Sequence, residues 1–131
     1  MKEENIAIFQ HDSIGSVFYN LDKAIRTYRQ FAHEQLTAMG LNITVDQWLV
    51  LKALHENPER SQHDIAAAVF KDHASFTRIV ELLVQKGFLL RELHPTDRRR
   101  FSLRITKNGS GLLREMQPIM IQVRGLVRRA C

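Results

Sequence analysis

Residues 61–87 read SQHDIAAAVFKDHASFTRIVELLVQKG, two short helical patterns separated by a tight step. Ser61 followed by Asp64 offers a helix cap, and Ile65, Ala66, Ala67, Ala68 and Val69 form a short helix of small residues that permits close packing. After the tight Phe70-Lys71 step, Asp72 is a good N-cap for a second helix. Its apolar residues Phe76, Ile79, Val80 and Leu83 follow the i, i+3, i+4, i+7 template, and Gly87 ends it in a left-handed conformation. Two short helices in this order match a helix-turn-helix, the second being the recognition helix. Its other face carries His73, Ser75, Thr77 and Arg78 near the N-terminus, donors suited to base edges and phosphates.

Downstream the period changes to two. Residues 88–93 and 101–106 read as strands, and the connection His94-Pro95-Thr96-Asp97-Arg98-Arg99-Arg100 gives the hairpin a basic tip. Arginine side chains on a projecting turn suit a narrow, strongly negative minor groove. Asp97 would repel phosphate if free, so it is expected to orient a neighbouring arginine through a carboxylate-guanidinium pair.

Upstream, Thr44 with Gln47 makes a capping box for a helix over Val45–Leu54 that is apolar nearly all round and therefore central; Asn57-Pro58 stops it. From Ser13 to about Thr37 the residues Ile14, Val17, Phe18, Leu21, Ile25, Tyr28, Ala32 and Leu36 form one long stripe, ended by Met39-Gly40. A small core cannot cover all of it, so part is expected to meet a partner chain. Thr106 caps a last helix whose Leu112, Met116, Ile119, Val123 and Leu126 make a heptad-like seam. Pro118 should kink that helix, and Gly109 and Gly111 should weaken its first turn.

The expected fold class is mainly α with a small β-hairpin (α+β), one unit over residues 1–131. A winged helix-turn-helix lobe spans 41–106, flanked by dimerisation helices at 13–40 and 107–131. Charge is asymmetric along it: 6 basic and 9 acidic side chains over 1–70 (net −3), 8 and 4 over 71–104 (net +4), 5 and 1 over 107–131 (net +4). A basic second half after a mildly acidic first half suits an anion-facing surface. No apolar run reaches the roughly 20 residues of a membrane span, and MKEENIAIFQ lacks a signal peptide's basic start, which points to the cytoplasm and no membrane partner. One cysteine, Cys131, and six scattered histidines give no disulfide and no zinc-ligand spacing, so no metal or cofactor is expected. There is no glycine-rich phosphate loop, GxSxG or HExxH, so an enzyme is not expected. The rival is a winged helix used for protein-protein contact without specific DNA readout.

The runs Thr44–Leu51, Ser61–Ala66, Asp72–Val80 and Leu82–Phe88, with Pro95–Arg100 and Leu103–Gly109, resemble the MarR-type regulators in order and spacing. The resemblance implies a homodimer with one winged helix-turn-helix per subunit, binding double-stranded DNA at a pseudo-palindromic operator. It also implies repression, released by a small aromatic or amphipathic effector. Carried over by position, Ser61 and Gln62 lie near phosphate, His73, Ala74, Ser75, Thr77 and Arg78 face the major groove, and Asp97, Arg98, Arg99 and Arg100 form the wing. The terminal helices dimerise, through Ile14, Phe18 and Leu21 of the first and Leu112, Met116, Ile119, Val123 and Leu126 of the last. Phe9, His11, Tyr28, Met39 and Trp48 are candidates to line an effector crevice.

Overall fold

The computed structural model describes residues 13–97 and 101–130, with Ser13, Val123 and 126–130 as backbone only. In chain order the elements are α1 (Ser13–Ala38), α2 (Val45–Glu56), α3 (Gln62–Ala68), α4 (His73–Gln85), β1 (Leu89–Leu93), β2 (Phe101–Ile105) and α5 (Lys107–Ala130). The strands pair antiparallel in register from Leu89↔Ile105 to Leu93↔Phe101. This is a helix-turn-helix, α3–α4, followed by a hairpin wing.

Caps place the helix starts where the sequence puts them. Thr44 Oγ1 accepts from the Gln47 backbone N–H at 3.1 Å, while Gln47 Oε1 accepts from the Thr44 N–H at 3.2 Å. Ser61 Oγ accepts from the Asp64 N–H and Thr106 Oγ1 from the Gly109 N–H, both at 3.1 Å. Each cap satisfies backbone donors that the first turn leaves without partners.

Three helices end in one motif, with paired bonds running back across the last turn. Gly40 and Leu41 donate to Thr37 and Leu36, Phe70 and Lys71 to Ala67 and Ala66, Gly87 and Phe88 to Val84 and Leu83. The turning residue must take positive φ, which glycine does freely at Gly40 (72°) and Gly87 (81°). In the helix-turn-helix turn that residue is Phe70, at φ 59° and 94% exposed. A side chain there is strained by about 1–3 kcal/mol, with no packing of its own to offset it.

The core gathers Leu36 from α1; Val50, Leu51 and Leu54 from α2; Ile65 from α3; Phe76, Val80 and Leu83 from α4; Leu89 from β1; and Leu112, Met116 and Ile119 from α5. Fully burying a leucine of this kind is worth about 1.5–3 kcal/mol relative to leaving it in water. The helix α5 runs through Pro118 as one element and packs along α1. Leu112, Met116 and Ile119, expected at a dimer interface, are thus buried within this chain, where their seam faces α1 and the lobe. The side chains of Val123 and Leu126 lie outside the described residues.

The stripe of α1 divides. Ala32 and Leu36 are buried, whereas Ile14, Val17, Phe18, Leu21 and Ile25 are open, Phe18 at 68%. The reading of Gly109 also changes. An added Cβ would run into the Phe88 carbonyl oxygen and stand 2.9 Å from Ile105 Cγ2, so glycine is there for close approach to the base of the wing. Among the described residues no helix is long and apolar enough to cross a membrane.

Candidate nucleic-acid interface

Burial gives α4 two faces. Phe76, Val80 and Leu83 point into the core, while His73, Ala74, Ser75 and Arg78 are exposed and Thr77 is half-buried. Among the described residues nothing bonds the Arg78 guanidinium. Asp72 caps this helix, its carboxylate accepting from the Ser75 N–H at 2.7 Å. That backbone bond, aided by the Ser75 hydroxyl and the charge of Lys71, holds the Asp72 carboxyl below its ordinary range.

Both ends of α4 are tethered to the first turn of α2. Lys71, just ahead of the N-cap, donates to Asp46 Oδ2 at 3.1 Å. At the other end, the C-cap residue Lys86 donates to Gln47 Oε1 at 2.8 Å and to the Asn42 carbonyl at 2.9 Å. Burial lowers the Lys86 pKa. Asp46 also accepts from Arg29 of α1 at 3.0 Å. Partial burial pushes the Asp46 carboxyl up, but the bonds from Arg29 and Lys71 outweigh it and leave the group below its ordinary value. Pairs this exposed contribute at most about 1 kcal/mol each to stability. Sequence reading missed this cluster. Its only local signal is an acidic residue in the first turn of α2, which also reads as a complement to the helix dipole.

The wing is fastened to the first helix of the motif. Gln62 Nε2 donates to the Phe101 carbonyl at 2.7 Å, so this amide, expected near phosphate, is engaged in holding β2 against α3. Ser61 is exposed, with its hydroxyl serving the cap. At the tip side of the hairpin, His94 Nδ1 accepts from the backbone N–H groups of Thr96 at 3.3 Å and Asp97 at 3.2 Å, which folds the turn back on itself. Asp97 is half-buried. Arg98, Arg99 and Arg100, the arginines expected at the tip, lie outside the described residues. A cleft of about 940 Å³ separates the first turn of α3 from the hairpin, with Arg60, Ser61 and His63 on one wall and His94, Pro95 and Thr96 on the other.

A second cleft, of about 540 Å³, opens between α2 and α5. Trp48, Lys52 and His55 line one side; Leu113, Arg114, Gln117, Met120, Ile121 and Arg124 line the other. Of the five residues expected in an effector crevice, the structure brings only Trp48 here. Tyr28 is half-buried on α1 and Met39 is 51% exposed just beyond that helix, and neither lines this cleft. Phe9 and His11 lie outside the described residues.

This architecture has known counterparts. The sequence profile of the MarR family matches residues 40–100. The putative transcriptional regulatory protein for the hcr operon of Thauera aromatica is 34% identical over 121 residues, covering 90% of this chain and 72% of that protein. The chain belongs to the MarR family. Members of the MarR family are transcription regulators, not enzymes. The fold agrees with the crystal structure of the S. aureus MepR-DNA complex, with a TM-score of 0.78 at 21% identity, covering 86% of this chain and 82% of that one. It also agrees with Bordetella bronchiseptica BpsR, in a study of how 6-hydroxynicotinic acid regulates DNA binding by that protein. There the TM-score is 0.75 at 26% identity, over 83% of this chain and 76% of that one.

Proposed function

We propose that the chain reads a pseudo-palindromic operator as a homodimer and acts as a ligand-responsive repressor. The carrying observation is the exposed polar face of α4, on a helix that begins at an exposed cap and is held at both ends by Lys71 and Lys86. A helix with open donors at its N-terminus suits insertion into the major groove, where Arg78 would donate to guanine and Ser75 or Thr77 to either base edges or phosphate. Arg98, Arg99 and Arg100 would add contacts in the flanking minor groove. The open residues Ile14, Phe18 and Leu21 would meet the same face of a second copy. MepR in complex with DNA supports the assignment by its shared fold.

The test begins with selection of bound duplexes from a random pool. A palindromic consensus is expected, with log affinity falling steeply against log salt as phosphate counterions are released. Arg78→Ala should cost about 1–3 kcal/mol at the consensus and relax its sequence preference. Failure to enrich any DNA would leave the rival reading, a winged helix for protein contact.

The α2–α5 cleft suits one class of effector, a small aromatic acid. Its one indole, Trp48, can stack on a ring, while Lys52, Arg114 and Arg124 offer cations to a carboxylate. Regulation of BpsR by 6-hydroxynicotinic acid is in keeping with this class. Trp48 is the only tryptophan of the chain, so saturable quenching of its fluorescence by an aromatic acid reads the site directly. Quenching unaffected by Arg114→Ala would count against the cleft.

A further inference from the structure

We propose that Asp46 is a positioning residue for operator spacing: through Arg29 and Lys71 it sets the angle between α1 and α4, and so the half-site separation that the dimer accepts. The inference rests on the dimeric DNA-reading function above. Three elements meet on one carboxylate. Oδ1 takes Arg29 of α1, Oδ2 takes Lys71 at the entrance to α4, and the carboxylate itself stands in the first turn of α2. The next residue, Gln47, takes Lys86 from the far end of α4. The recognition helix is therefore yoked at both ends to two consecutive side chains, and one of those is bonded to the long helix.

These pairs are more than incidental decoration. The side chains of Arg29, Asp46 and Lys71 are 46%, 31% and 26% exposed, too open for the pairs to carry much of the stability. The apolar core already holds the helices together. Apolar packing is non-directional, however, and leaves small rotations cheap, whereas charged hydrogen bonds fix direction. Small rotations matter because α1 is a lever. From Arg29 to Ile14 the helix rises about 22 Å at 1.5 Å per residue. A tilt of about 10° moves Ile14 by about 4 Å, more than the ~3.4 Å between base pairs. If the open stripe of α1 joins two copies, that tilt carries directly into the distance between their recognition helices.

The experiment measures binding of the full chain to three kinds of duplex: the consensus selected with the parent protein, that consensus with one or two base pairs inserted between half-sites, and a single half-site. The parent should lose affinity on the order of 100-fold on insertion, since only one half-site can then be engaged. Asp46→Asn and Arg29→Ala should each cut that penalty to about tenfold, and Arg29→Ala, which leaves the Lys71 tether of α4 in place, should keep single half-site binding within about twofold. The double variant should behave like either single one, because both remove the same link. Asp46→Glu, which keeps the charge, should restore part of the discrimination. An insertion penalty unchanged in both variants overturns the proposal, as do additive losses. Loss of single half-site binding in Arg29→Ala also overturns it, since Arg29 would then be holding α4 rather than setting the angle of α1. Arg29 is exposed, so Arg29→Ala keeps the test open should Asp46→Asn fold poorly. A parent that selects no palindrome sinks the functional reading itself, whereas a parent that does so with spacing-blind variants sinks only this inference.

Discussion

Two apolar stripes of the same period lie on the two long helices, and they have opposite fates. On α5, Leu112, Met116 and Ile119 are sealed inside the chain; on α1, Ile14, Phe18, Leu21 and Ile25 stand in solvent. Periodicity reports that a face is apolar and is silent on what covers it. The difference comes from the neighbours: α5 packs against α1 and α2 through its stripe, while the face of α1 that carries Ile14, Val17, Phe18, Leu21 and Ile25 is left uncovered by the described residues. A stripe that its own chain cannot cover marks the surface left for association.

Four substitutions test this contrast. Met116→Ala should have the largest effect, about 2–5 kcal/mol lost in urea unfolding, because the site is enclosed and cannot collapse fully. A mutant of unchanged stability that instead fell to monomers would exchange the roles of the two helices. Gly109→Ala should follow at about 1–3 kcal/mol, since backbone at Phe88 must retreat from the new methyl group. A neutral outcome would mean the base of the wing is looser than its geometry.

Asp46→Asn probes the joint between α1 and the lobe, and its effect should depend on pH. The folded-state pKa of Asp46 is depressed, so its contribution is present above the unfolded value near 3.9 and is lost as pH falls through the lower folded value. The parent should therefore lose up to about 1 kcal/mol more than the variant on acidification below about pH 4. Parallel stability curves would show that the carboxylate is not held by Arg29 and Lys71. Smallest for the fold is Phe18→Ser, within about 0.5 kcal/mol for an exposed site. Its consequence should fall on association, with light scattering showing a shift to monomer at micromolar concentration. A persistent dimer would place the interface elsewhere.

Much of this architecture was legible in the residues. Thr44, Ser61, Asp72 and Thr106 announce helix starts, Gly40 and Gly87 announce ends, and the change of period at Phe88 announces the wing. These are local signals, each made within a few residues. The sequence was silent where the partners are distant. Arg29, Lys71 and Lys86 reach Asp46 or Gln47 across 17, 25 and 39 residues, and Gln62 reaches Phe101 across 39. Gly109 misled for the same reason: propensity weighs its own turn, and its purpose lies in the Phe88 carbonyl opposite. Phe70 occupies a conformation that favours glycine, which no local rule would have assigned to a phenylalanine.

The hydroxyl of Thr106 gives its proton to the Gly87 carbonyl at 2.6 Å while its lone pair caps α5. One oxygen thus closes the end of the recognition helix and opens the last helix, with the hairpin looped out between them. The root of the wing is thereby clipped between the two helices. Serine could replace this residue at modest cost, whereas valine, of the same shape, would unfasten both helices at once.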